Sequence, residues 1–198
     1  MISAIILAAG ASKRMGQQKL LMKWGNVTVL ERVIAVFANA GIEDILVITG
    51  SGRTQTEGVI SLASKDYPVR AVFNREHETA EMLSSIQCGL RDLMDRGSSA
   101  ALIGLGDQPQ MEERIVRLVC DSYREARSPL VVPSYQMRRG HPWLVDRSVW
   151  SELLDMKPPQ NPRDFLSAHS REIRYVNAGT SSVLADLDTP QDYRKSHP

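Results

Sequence analysis

The sequence predicts an α/β protein built on a parallel sheet, and three observations lead there. Runs of β-branched and aliphatic residues, the composition of strands buried on both faces, alternate with segments whose apolar residues recur at helical spacing. Such alternation is the signature of strand–helix–strand crossovers in a parallel sheet. Two of the runs, ending at Leu7 and Leu105, break at once into polar loops, and parallel sheets bind ligands beyond the carboxyl ends of their strands.

The chain opens on an apolar run of strand length that gives way to Gly10, Ala11 and Ser12, with Arg14 and Lys19 behind. Residues 28–38 carry helical spacing, with Thr28 and Glu31 as a capping box and Gly41 where the helix should stop. Residues 44–49 read as a buried strand, 56–63 as a weaker helix and 69–73 as a third strand. A helix over 82–94 has Ser84 and Ser85 near its start. The fourth strand, 100–105, runs straight into Gly106-Asp107-Gln108-Pro109, followed by an amphipathic helix over 112–126 and a short strand over 129–133. Beyond Tyr135 the pattern changes. Residues 138–142 read as a cationic loop, 145–156 as helical, 157–162 as a proline-rich connector and 164–169 as a short helix. Residues 172–176 alternate like a half-exposed strand, and 184–190 close the fold before a polar tail.

With 198 residues, 42% of them hydrophobic and 24% charged, the chain can bury one substantial core, and no repeat or linker divides it. A single domain over 1–198 is expected. The formal net charge of +1 argues against bulk nucleic acid or an anionic membrane surface as partner. Cys88 and Cys120 lack paired or metal-type spacing and read as reduced thiols, Cys88 as a small buried residue rather than a nucleophile. The N-terminus lacks the charged start of a secretory signal, and its apolar run is too short to span a bilayer, so a cytoplasmic protein is expected.

The small-residue loop after the first strand suits phosphate binding. No side chain blocks approach to its backbone N–H groups, and Arg14 and Lys19 add full charge. The alternative is an ordinary surface loop. Asp107 either caps the next helix or holds a hard cation, with Pro109 standing against the cap. Asp186 and Asp188 share a face if they lie in a strand and diverge if a turn falls at Leu187. Thr189, Pro190 and Asp192 spell a helix start that does not need Asp186. His141 either binds a substrate phosphate or polar ring or is a turn residue before a proline. Arg53, Arg70 and Arg75 either serve the crevice or solvate the surface. A phosphate loop with two acidic sites suggests phosphoryl or nucleotidyl transfer with Mg²⁺, which needs no Ser/His/Asp or Cys/His arrangement.

The motifs L-A-A-G-x-S-x-R-M-G-x-x-K-L-L (7–21), G-D-Q-P (106–109), G-H-P (140–142) and D-x-D-T-P-x-D-Y (186–193) together resemble the nucleotidyltransferases related to molybdenum cofactor cytidylyltransferase. The resemblance implies a three-layer Rossmann-like fold, mostly parallel with helices on both faces. It also implies an N-terminal nucleotide-binding part over about 1–110 and an acceptor-binding part over about 111–198. The implied reaction is transfer of CMP from CTP to the phosphate of molybdopterin, with release of pyrophosphate and dependence on Mg²⁺. Its alternatives are a sister enzyme using GTP or another phosphorylated acceptor, or a non-catalytic cofactor-binding accessory protein.

By position, the resemblance assigns Leu7, Ala8, Ala9, Gly10, Ser12, Arg14, Lys19, Ser84, Ser85 and Asp107 to the nucleotide. Arg14, Lys19 and Asp107 are the catalytic set, Asp107 and Asp186 the metal ligands with Asp188 as alternative, and His141 and Arg139 the acceptor side. A molybdoenzyme or its chaperone is the implied recipient. Glu81 stands where the family carries glycine, and 161–165 lack its glycine-rich acceptor stretch. GTP-using relatives tend to read L-A-G-G, so the methyl of Ala9 would favour cytosine over the larger purine.

Overall fold

A computed structural model of the chain describes residues 1–12, 15–78 and 81–198. Four strands form the parallel half of the sheet: β1 (Ile2–Ala8), β4 (Ile45–Thr49), β5 (Val69–Phe73) and β6 (Ala100–Leu105). They lie in the order β5-β4-β1-β6, with β1 between β4 and β6 in parallel register, Leu7 facing both Ile48 and Leu105. The sheet continues through β9 (Trp143–Asp146), antiparallel to β6, then β7 (Leu130–Tyr135) and β10 (Ile173–Asn177). Because β9 is antiparallel to both neighbours, β7 and β10 again run with β6. All the parallel strands therefore end at one edge.

Alternation along each strand builds the three layers. Ala4, Ile6 and Ala8 of β1 face one core with α1 (Val29–Asn39), α2 (Arg53–Ala63) and α4 (Glu113–Ala126). Ile5 faces the other, with α3 (Glu81–Met94), α5 (Trp150–Asp155) and α6 (Pro162–Ala168). Among the described residues, no helix is long and apolar enough to cross a membrane.

The expected elements form with some corrections. Thr28 and Glu31 make the capping box, and Thr189, Pro190 and Asp192 begin α7 (Pro190–Ser196) as read. A short hairpin of β2 (Lys23–Trp24) and β3 (Val27–Thr28) precedes α1 and was not foreseen. The helix expected over 145–156 begins later, because Val145 and Asp146 belong to β9. Asp146 starts the helical turn, its side chain accepting from Ser148 N at 2.9 Å. The cationic loop is partly strand, with β8 (Arg138–Arg139) pairing back on β7. The α6 helix starts at Pro162, capped by Asn161 with Asp164, the same box as at α7. Arg70 forks onto Asp92 at 3.0 and 2.5 Å, and Arg53 pairs with Glu57 while covering Phe73. Both are structural.

His169 joins the C-terminal helices. Its Nδ1 lies 2.9 Å from Glu172 Oε1 and its Nε2 2.8 Å from Glu152 Oε2. Burial opposes its charge, but the two carboxylates prevail and raise its pKa above the ordinary value. A raised folded-state pKa contributes stability that is complete below the unfolded value near 6.5 and is lost as pH climbs through the folded one. Tm is therefore expected to fall as pH rises above about 6.5, and His169→Gln should flatten that part of the profile. An unchanged slope in the variant would remove His169 as its cause.

Candidate active site

The loop leaving β1 is fastened at several points. Ser51 N donates to Ala9 O at 3.1 Å, tying the loop to the end of β4. Ser12 takes a left-handed conformation, with φ 49°; its carbonyl accepts from Met15 N at 3.0 Å and its hydroxyl from Lys19 N at 3.3 Å. One small side chain thus closes the loop onto the single helical turn Lys19–Leu21. A Cβ placed on Gly10 would meet nothing within 4 Å, so packing does not demand glycine there. The backbone at Gly10 faces open cleft, where a ligand can approach its N–H group. Leu7, Ala8, Ala9, Gly10, Ser12 and Lys19 all line this cleft of about 790 Å³. That volume accommodates a nucleotide-sized ligand. The methyl of Ala9 sits against Gly50, where a Cβ would come within 2.7 Å of it. Arg14 lies outside the described residues.

The end of β6 supplies the acidic side. Gly106 N donates to Leu7 O at 3.0 Å, and a Cβ at Gly106 would lie 2.9 Å from that same oxygen. Glycine is required there to lay the Gly106–Asp107 turn against β1, which delivers Asp107 into the cleft. Asp107 forms a close ion pair with the Lys19 ammonium, which also reaches Asp188 Oδ1 at 3.5 Å. Asp107 does not cap α4, whose N-cap is Glu112.

Asp186 and Asp188 arrive from the far end of the chain. After β10 the backbone runs across the carboxyl edge of the sheet, with Ala178 N bonded to Ser134 O, His141 N to Val183 O and Leu187 N to Asp107 O. Leu187 is fully buried, and the aspartates on either side of it both line the cleft. This is neither the strand nor the divergent turn that the spacing left open. An apolar anchor between the two carboxylates holds both in place. Gln108, 1% exposed, donates from Nε2 to Asp186 Oδ1 at 2.6 Å and fixes it further. Sequence reasoning missed this role, although Gln108 stands within the G-D-Q-P motif. Asp186 opens on the cleft yet is hemmed in by its walls. That desolvation, then the charges of Asp107 and Asp188, raise its pKa against the lowering effects of Gln108 and Lys19.

On the β4–β5 side the cleft is lined by Ser51, His77, Glu78, Met82 and Ser85. Buried Asn74 donates to Ser84 Oγ at 2.9 Å and Ser85 Oγ at 3.1 Å. Ser84 in turn donates to Glu76 O at 3.3 Å, so it braces the loop after β5 while Ser85 reaches the cleft wall. His77 and Glu78 carried no signal in the sequence that singled them out.

His141 and Arg139 lie at the same sheet edge but not among the residues lining this cleft. His141 stacks on Trp143 with ring centroids 4.6 Å apart, its Nδ1 3.3 Å from Ile103 O. Burial lowers its pKa to about 4, so the imidazole is neutral near pH 7. Arg139 is exposed and donates from Nε to Tyr175 Oη at 2.8 Å.

Comparison with known proteins gives this geometry a context. The chain is 26% identical over 202 residues to nicotine blue oxidoreductase of Paenarthrobacter nicotinovorans, covering 98% of this chain and 95% of that one. It is 23% identical over 193 residues to the molybdenum cofactor cytidylyltransferase of Escherichia coli (strain K12), covering 97% and 93%. The crystal structure of Rv0371c from Mycobacterium tuberculosis H37Rv superposes with a TM-score of 0.81 at 26% identity, over 98% of this chain and 95% of that one. A manganese complex of Rv0371c gives 0.76 at 24% identity, over 98% and 96%. The model of the MobA-like NTP transferase domain matches residues 4–173, from within β1 to the first residue of β10. That match takes in the loop leaving β1, Lys19 and Asp107, and the chain belongs to the MobA-like NTP transferases, a nucleotidyltransferase family.

Proposed function

We propose that this chain transfers CMP from CTP to the phosphate of a molybdopterin-type acceptor, releasing pyrophosphate, with Mg²⁺ as cofactor. The convergence of Lys19, Asp107, Asp186 and Asp188 beside a small-residue loop carries this reading. Clustered carboxylates beside a triphosphate repel it unless a cation intervenes. The donor set fits magnesium. Magnesium is held by one or two carboxylates together with substrate phosphates and waters, and Asp107 and Asp186 both line the cleft. Asp107 and Asp186 would hold it, with Asp188 as alternative. Bound there, magnesium neutralises charge developing on the phosphate oxygens.

The protein's own work is positioning. The loop over 8–16, including Arg14, wraps the triphosphate, and Lys19 swings from Asp107 toward it. Ser84 and Ser85 shape the nucleoside end. A phosphate oxygen of the acceptor attacks the α-phosphorus in line; the new P–O bond forms as the α–β bridging bond breaks, and its electrons leave with pyrophosphate. The nucleophile is already anionic, so no protein base is needed. His141 and Arg139 take the acceptor side. Residues of about 1–110 then serve the nucleotide and about 111–198 the acceptor, within one domain. The substrates are small molecules of the cytoplasm, and a molybdoenzyme or its chaperone receives the product. Ala9 acts on base choice through its contact with Gly50, which narrows the cleft against a purine.

Pyrophosphate release measured with each nucleoside triphosphate, with and without molybdopterin or molybdenum cofactor, tests this. Release with CTP only when the acceptor is present is expected. Release only with GTP, or only with another phosphorylated acceptor, overturns the substrate assignment. No release with any triphosphate, together with a redox activity such as the name of the Paenarthrobacter relative denotes, overturns nucleotidyl transfer itself.

A further inference from the structure

His77 lines the cleft from the loop after β5, two strands over from β1 in the sheet, and packs beside Gly50 at the end of β4. Its Nδ1 lies 3.0 Å from Asn74 O. A carbonyl only accepts, so the proton of the neutral ring sits on Nδ1 and Nε2 carries the lone pair. The partner that sets this tautomer is itself immobilised. Asn74 is 3% exposed, its Nδ2 donates to Ser84 and Ser85, and its Oδ1 accepts from Glu76 N at 2.9 Å. The ring leans on Phe73, with centroids 5.8 Å apart, and Gly50 leaves the room its Cβ needs. Glu78 Oε1 lies 3.9 Å from Nε2.

This end of the cleft therefore presents one hydrogen-bond acceptor, His77 Nε2, in a position fixed by the core, with the exposed Glu78 carboxylate beside it. If the triphosphate occupies the loop and the aspartates, as proposed above, the base falls on the β4–β5 side. We infer that His77 is a specificity-determining residue: its Nε2 accepts a hydrogen bond from the exocyclic amino group of cytosine. Uracil carries a carbonyl at the same ring position, which faces the Nε2 lone pair and the Glu78 carboxylate without a proton between them. Ala9 and Gly50 act against a larger ring, whereas His77 separates the two pyrimidines by donor and acceptor pattern. A site built to accept a proton discriminates against an analogue that cannot supply one, because polar groups are left unpaired on both sides.

Calorimetric titration of the full chain with CTP and with UTP, in Mg²⁺ and without acceptor, tests this separately from turnover. Wild type should bind CTP about tenfold more tightly than UTP, the difference expected of one hydrogen bond made against one left unmade. His77→Ala should bring the two affinities together. His77→Gln, whose amide can turn either face to the base, should do the same while retaining affinity closer to wild type. Thermal melts of both variants establish that they fold. Equal affinities for CTP and UTP in wild type overturn the inference and leave triphosphate binding standing, as does an equal loss for both nucleotides in His77→Ala. Binding of no nucleoside triphosphate by wild type overturns the proposed function and this inference together.

Discussion

Asp107→Asn is expected to lower Mg²⁺-dependent pyrophosphate release by about three orders of magnitude while leaving the fold intact. The side chain keeps its shape, and its backbone contacts do not change: Gly106 N still meets Leu7 O, and Leu187 N still donates to Asp107 O. What disappears is one of the carboxylates crowded at the mouth of β6. With that charge gone, the Asp186 carboxyl, whose pKa is raised by desolvation and then by Asp107, loses a repelling neighbour. Two measurements separate the outcomes. Titration with Mg²⁺ or Mn²⁺ in the presence of CTP should show weaker metal binding, and Tm without nucleotide should move little. Near-wild-type rates would remove Asp107 from the metal site.

Lys19→Ala should weaken CTP binding by about 1.5–3 kcal/mol, the range for hydrogen bonds to charged groups, which is roughly ten- to over a hundredfold. Lys19 is held where it can act. Its backbone N–H is bonded to Ser12 Oγ, it begins the helical turn Lys19–Leu21, and its ammonium lies between Asp107 and Asp188. The same ammonium lines the cleft together with the loop leaving β1. Removing it leaves the aspartates facing one another, so the variant should also gain more stability from Mg²⁺ than wild type does. Lys19→Arg, which restores the charge, should recover part of the affinity. An unchanged CTP affinity in Lys19→Ala would remove Lys19 from the phosphate site.

Much of this protein was legible because its signals are local. Strand-length apolar runs fix where β1, β4 and β6 lie, since buried parallel strands can be little else. Capping boxes at Thr28 and Thr189 were readable for the same reason: the bonding partners sit three residues apart. Asn161-Pro162-x-Asp164 carries the same pattern, and recognising it would have placed the start of α6 correctly. The β9 strand was lost because it is four residues long and merges into the apolar spacing of Val149, Trp150 and Leu153. Its identity comes from pairing with β6 and β7 on either side, which no local pattern encodes.

The site divides the same way. Sequence by itself pointed to the small-residue loop after β1, to Asp107 at the end of β6, and to the residue types a metal-assisted transfer requires. Only the tertiary structure decided that Asp186 and Asp188 share a cleft with Lys19. That outcome depends on Leu187 being drawn into the core and hydrogen-bonded to Asp107 O, a contact between residues 80 apart in the chain. It also depends on Val183 closing over Gly140, where a Cβ would come within 2.6 Å. His77 belongs wholly to this second class. A histidine in a polar loop has no distinguishing context, and its tautomer is set by an Asn74 carbonyl whose position rests on α3. Spacing along the chain records which elements form, whereas the direction in which a side chain meets a ligand is fixed by packing between elements far apart in sequence.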